Sequence, residues 1–217
     1  MVQPASETEV TAIVIALEPD QEMVGRARAA NAMLRASYPE GFPLDAGRPA
    51  HTSIYAGFVS TSDLPKVYAA TSAVLANEPF TSWALDAIEY YYIPLGPIGL
   101  AGIVIEPTLG LIRMQQDMID AAGPYTVKTA TAAAFYTTPS EPDIHPAVID
   151  YVTAFAEHTG KNFSPHVSIG LATTGFLDAL MAEPFNGFTF SPATAAVYQI
   201  GNFGTARKVL KALPLRP

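Results

Sequence analysis

The chain has 217 residues and a mass of 23.0 kDa; 49% of it is hydrophobic and only 15% charged, with a mean hydropathy of +0.21. That supplies a sizeable core and excludes a largely disordered chain, and the length fits a single domain, of one or two lobes, spanning 1–217. Twenty acidic against twelve basic side chains give a net charge of −8 and a pI near 4.9, a field that disfavours long RNA or DNA, because backbone affinity rests on a basic surface and counterion release. A small anion in a local pocket stays compatible with that charge. Cysteine is absent, which excludes disulfide frameworks, thiolate zinc sites and cysteine nucleophiles. The opening stretch Met1–Glu9 has no basic cluster, and the apolar run Ala12–Leu17 is too short for the core of a secretion signal. The longest apolar stretch, Ile93 to Ile105, is broken by Pro94, Gly96, Pro97, Gly99 and Gly102, so no membrane span is expected. The expected location is cytoplasmic.

The first element is a strand, Thr11 to Leu17, β-branched and ended by Glu18-Pro19-Asp20. Asp20 caps a helix with Met23, Ala27, Ala30 and Leu34 at helical spacing, closed by Pro39 and Gly41. A Pro-rich link leads to a second strand, His51 to Val59. A helix follows with Leu64, Val67, Thr71 and Val74 or Leu75 inward. Strands are expected near Trp83–Ile93 and Ala101–Glu106, then a helix opened by Thr108, carrying Leu109, Ile112 and Ile119 and ending at Gly123-Pro124. Residues 124–145 lack a clear period and read as irregular, with at most one short strand. Pro146 starts a helix with Val148, Val152 and Phe155 inward, stopped by Gly160. Ser164 to Leu171 reads as a strand and Leu177–Met181 as a short helix. Strands near Phe185–Phe190 and Ala195–Ile200 and a turn over Gly201–Gly204 precede a last short element. Helices and strands alternate without the regular cadence of a parallel doubly wound sheet, so the fold class is α+β.

Four histidines occur, at 51, 145, 158 and 166. Two head strands in near-identical settings: His51-Thr52-Ser53-Ile54 and His166-Val167-Ser168-Ile169, about half the chain apart. Residues i and i+2 of a strand share a face, so each strand offers an imidazole beside a hydroxyl. Either motif alone is explained by a strand-end histidine hydrogen-bonded by its neighbour. The duplication, with matching strand context and matching isoleucine, is what points to a shared site.

This pair of His-x-Ser motifs, one per half and each followed by an apolar residue, resembles the 2H phosphoesterase superfamily, which includes 2′-5′ RNA ligase-like proteins and cyclic nucleotide phosphodiesterases. The resemblance covers most of the chain. It implies two pseudo-symmetric lobes, each an antiparallel sheet flanked by helices, with the motifs facing across a central cleft. The residue types suit the chemistry without the family. Opening a cyclic phosphodiester needs a base to activate water and an acid to protonate the leaving oxygen, which two imidazoles supply near neutral pH. His51 and His166 are the candidate catalytic pair. Ser53 and Ser168 are the candidate phosphate-binding hydroxyls, donors to an oxyanion-like transition state. No metal and no cofactor are required.

Tyr55, four residues after His51, is a candidate to line the cleft, with a plain core or rim position the equal alternative. In the run Tyr90-Tyr91-Tyr92, sheet packing outweighs base stacking. Arg48, Arg113, Lys128 and Lys161 are cations that a second phosphate would meet, Lys161 first among them. His145, in a Pro-rich loop, and His158, at a helix end, receive no role. The expected function is a metal-independent phosphoesterase acting on a small cyclic or 2′-5′ linked nucleotide. A non-catalytic nucleotide-binding module and an RNA ligase or RNA-end processing protein remain as alternatives.

Overall fold

The first apolar run forms the middle of strand β1 (Val10–Pro19), which pairs antiparallel with β2 (Thr52–Ser60) on one side and β8 (Pro192–Ile200) on the other. Residues Ala12 to Leu17 are all buried, which is why the run is continuously apolar rather than alternating. The computed structural model describes residues 9–213 and 215; the opening stretch read for a secretion signal lies, up to residue 8, outside them. Between β1 and β2 comes helix α1 (Gln21–Ser37), capped by Asp20, whose carboxylate accepts from the backbone N–H groups of Glu22 and Met23. The other Asp20 oxygen accepts from the Ser191 N–H at 2.7 Å, which ties the helix start to the entry of β8.

After β2 the chain runs through α2 (Leu64–Leu75), the hairpin β3 (Leu85–Leu95) and β4 (Ile98–Ile105), α3 (Leu109–Ala122), the short β5 (Thr126–Val127) and α4 (Pro146–Ala154). It closes with β6 (His166–Thr173), α5 (Thr174–Met181), β7 (Phe188–Phe190), β8 and the edge strand β9 (Ala206–Leu213). The fold is α+β. The strands are antiparallel in the order β7-β3-β4-β6-β2-β1-β8-β9, with β5 against β2. This path narrows at its centre. On the edge of β2 away from β1, β6 pairs only at Thr52 and β5 only at Phe58 and Val59. The sheet is therefore two lobes joined at a single residue pair, and the gap beside β2 is where a cleft opens.

Helix α1 belongs to the first lobe by connection but packs on β6 of the second. Helices α3 and α4 lie against β2, and α2 lies against α3. The expected helix after Thr108 is present, and Ile112 and Ile119 pack partly buried against the core. Leu111, Met114, Gln115, Met118 and Ala122 form the buried stripe, and Leu109 is 86% exposed. Apolar residues occur around most of this helix, so periodicity admits two stripes, and packing against β2 and α2 selects one. The last element is a full strand of eight residues rather than a short one. Among the described residues no helix is long and apolar enough to cross a membrane.

Candidate active site

Thr52 and Val167 form the one pair that joins β2 to β6, and both side chains are buried on the sheet's packed face. In an antiparallel ladder, residues directly opposite point to the same side, and that side alternates along the strand. The Thr52–Val167 register, carried one residue in each direction, sets His51 opposite Ser168 and Ser53 opposite His166. All four side chains then share the face away from Thr52 and Val167. A pseudo-twofold axis through the Thr52–Val167 pair relates the two motifs.

A second correspondence reinforces that axis. In β2, Ser53 pairs with Ala16 and Tyr55 with Ile15, leaving Ile54 as an extra residue. In β6, Ser168 pairs with Gly102 and Gly170 with Ala101, leaving Ile169 as an extra residue. Each motif strand thus bulges at the isoleucine directly after its His-x-Ser. A bulge bends its strand, raises the local twist and re-aims the neighbouring side chains. The Ile169 bulge is held from outside: buried Asn31 of α1 donates to the Ile169 carbonyl at 2.8 Å and the Phe42 carbonyl at 2.9 Å, and accepts from the Leu44 N–H. Gly170 follows with φ +135°, and a Cβ there would stand 2.8 Å from the Asn31 amide nitrogen. No other residue type fits that position without displacing Asn31.

Each imidazole is oriented by the carbonyl two residues upstream. His51 Nδ1 lies 3.0 Å from the Pro49 carbonyl and His166 Nδ1 2.8 Å from the Ser164 carbonyl. A carbonyl only accepts, so Nδ1 carries the proton in both rings and Nε2 holds the lone pair of the neutral form. Burial pushes both imidazoles below their ordinary value, against the pull of these carbonyls and, for His51, that of Gly204. At His166 the proximity of His51 pushes the same way. Two charged rings are disfavoured together, and the singly protonated pair holds one acid and one base.

The four motif side chains line a cleft of about 370 Å³, whose walls are mostly apolar and aromatic. All four histidines of the chain face it. His145 caps α4, its Nδ1 accepting from the Ala147 N–H at 3.2 Å, and its ring lies 6.0 Å from that of Phe203. His158 follows α4 and gives its carbonyl to the Gln115 side chain. Sequence assigns neither a role, since nothing local in a loop or at a helix end reveals which way a ring points. Among the described residues no three histidine or acidic side chains are grouped to hold a metal. Phe203 also stacks on Phe42 at 6.3 Å and takes a left-handed backbone, φ +55°. For a bulky side chain that conformation costs about 1–3 kcal/mol, and such strain clusters at ligand sites. Tyr151 of α4 places its hydroxyl against Ser53, and burial pushes that hydroxyl up to about 12. Tyr91 packs edge-on to His166 with ring centroids 5.0 Å apart, lying over Gly102, where a Cβ would meet its ring at 2.4 Å. The tyrosine run therefore does contribute to the cleft, through its central member.

Tyr55 does not line the cleft. The bulge at Ile54 breaks the alternation from which the expectation came, and the Tyr55 ring lies down over Gly57. Its hydroxyl is 2.5 Å from the Thr126 hydroxyl on β5, and its ring meets the edge of Phe155, which does line the cleft. The four cations named from sequence do not line the cleft either. Arg48 is paired with Glu141, a carboxylate it shares with Arg207, and Arg113 with Glu78. Any anion bound here meets imidazoles and hydroxyls in apolar surroundings, where such dipoles act more strongly than in water.

A solved structure shares this architecture. The chain is similar to TT0787 of Thermus thermophilus, with a TM-score of 0.54 at 14% identity over 95% of this chain and 98% of that one. At that identity the likeness is one of fold. Weaker likenesses are to Kluyveromyces marxianus Usb1 (TM-score 0.48, 11% identity, 96% and 99% covered) and to E. coli LigT complexed with NADP+ (TM-score 0.46, 16% identity, 96% and 99% covered). No protein-family model matches the chain, and no curated protein matches it in sequence.

Proposed function

We propose that this chain is a metal-independent phosphoesterase that hydrolyses a small cyclic or 2′-5′ linked nucleotide phosphodiester, of the 2′,3′-cyclic phosphate type. The observation that carries this reading is the Thr52–Val167 pair, whose register sets two oriented imidazoles and two serine hydroxyls on one face in a twofold arrangement. One neutral imidazole takes a proton at Nε2 from water as its oxygen bonds to phosphorus. The other, protonated, gives its Nε2 proton to the leaving ribose oxygen as that P–O bond breaks on the opposite side. Ser53 and Ser168 donate to the non-bridging oxygens, where negative charge gathers in the transition state. The phosphodiester anion favours the charged form of one ring, which offsets the burial that depresses both.

The cleft's volume suits a small ligand, and the net charge of −8 opposes a long RNA. The deciding experiment incubates purified protein, in chelator, with 2′,3′-cyclic mononucleotides and 2′-5′ linked dinucleotides, and follows the products by phosphorus NMR. Opening of the cyclic phosphate to a monophosphate is expected. Binding with no turnover of any diester would leave a nucleotide-binding module instead. Turnover only after a divalent ion is restored would assign the protein to a different catalytic class.

A further inference from the structure

Two residues that line the cleft each hold a buried polar atom with no hydrogen-bond partner among the described residues: the Tyr91 hydroxyl and Gln115 Oε1. Gln115 is fully buried, on a stripe of α3 otherwise made of Leu111, Met114, Met118 and Ala122. A glutamine in such a stripe is costly unless both ends of its amide are used. One end is used, since Nε2 donates to the His158 carbonyl at 2.9 Å. That bond also fixes the amide's orientation: a carbonyl only accepts, so the nitrogen must face it, and the oxygen is the atom left over.

We propose that Gln115 is a specificity-determining residue, its Oε1 accepting a hydrogen bond from a donor on the nucleoside end of the substrate. This rests on the phosphoesterase reading above. An acceptor cannot pair with the phosphate oxygens, which also accept, so Gln115 Oε1 takes a donor elsewhere on the bound molecule. In a 2′,3′-cyclic phosphate, whose 2′ and 3′ oxygens are both esterified, that donor is an N–H of the base or the 5′-hydroxyl of the ribose. The rings of Phe155 and Phe163 in the same cleft suit the flat face of a base, which makes the base N–H the first expectation.

Calorimetric titration tests this without requiring turnover. The probes are adenosine and uridine 3′-monophosphates, their donor-lacking counterparts purine riboside and 3-methyluridine 3′-monophosphates, and 5′-deoxyadenosine 3′-monophosphate. In the wild-type protein, loss of the donor that Gln115 reads is expected to weaken binding roughly 10- to 100-fold, the range for leaving a buried acceptor unpaired. Weakening confined to the base analogues assigns the base N–H; weakening confined to the 5′-deoxy probe assigns the ribose. In Gln115→Met the donor-bearing probe should fall to the level of its counterpart, so that the discrimination disappears. Should that variant not fold, Gln115→Asn draws the acceptor back by one methylene and is expected to give the same loss. Equal binding of all probes by the wild type, discrimination that persists in the variants, or no binding of any probe would overturn the assignment. Gln115-dependent discrimination without turnover of any cyclic phosphate would overturn the hydrolase reading and leave this one standing.

Discussion

At His51 and His166 the same local device appears twice: an upstream carbonyl takes the Nδ1 proton and burial lowers the basicity of what remains. Two consequences follow for pH. Both rings titrate below 6.5, so under the proposed acid–base mechanism the bell-shaped profile of kcat/KM is expected to have both limbs on the acid side of that value. Stability carries the same signature with a definite sign. Unfolded histidine binds its proton near 6.5, whereas the folded rings bind it only at lower pH, so between those values the unfolded chain holds more protons. Stability therefore falls as the pH is lowered through about 6.5. Melts across pH should show this loss in the wild type and a shallower one in His51→Gln and His166→Gln. For the serines, Ser168→Ala is expected to lower kcat by about 10²- to 10³-fold with little change in Tm, as for loss of an oxyanion-hole donor. Unchanged kcat with a lowered Tm would make that hydroxyl structural.

The element that matters most is the bulged strand end. Asn31 satisfies the Ile169 carbonyl and two other backbone groups from a helix that started in the other lobe. Asn31→Ala should cost about 1–3 kcal/mol of stability by leaving buried groups unpaired, and should lower kcat as well, because the bulge sets the aim of His166 and Ser168. Gly170→Ala is expected to reproduce both effects through its positive φ and its contact with Asn31. The other bulge bears on Tyr55. Tyr55→Phe removes the bond to Thr126 and is expected to cost stability, about 1 kcal/mol, with KM unchanged. A raised KM at unchanged stability would return that side chain to the cleft. Both bulges fall on an isoleucine that strand periodicity treats as ordinary, which is why the motifs were legible in the sequence and the aim of the residue after them was not.

Across the whole molecule, what sequence reveals and what it conceals divide along the range of the interaction. Capping by Asp20, the helix start at Pro146, the apolar stripes of α1 and α2, and the paired motifs are all encoded within a turn or a few strand positions. The inner face of α3, the approach of Tyr91, Tyr151, His145 and His158 to one cleft, and the capture of Arg48 by Glu141 depend on residues far away in the chain. Periodicity cannot report those. The twofold arrangement across Thr52 and Val167 is the feature on which the proposed function rests, and that proposal treats the histidines as one unit. Kinetics of His51→Ala, His166→Ala and the double variant on a 2′,3′-cyclic nucleotide, in chelator, test it most directly. Each single change is expected to lower kcat by roughly 10²- to 10⁴-fold, with the double variant little worse than the poorer single one. Near-normal turnover in either single variant, or losses that multiply in the double, would contradict it.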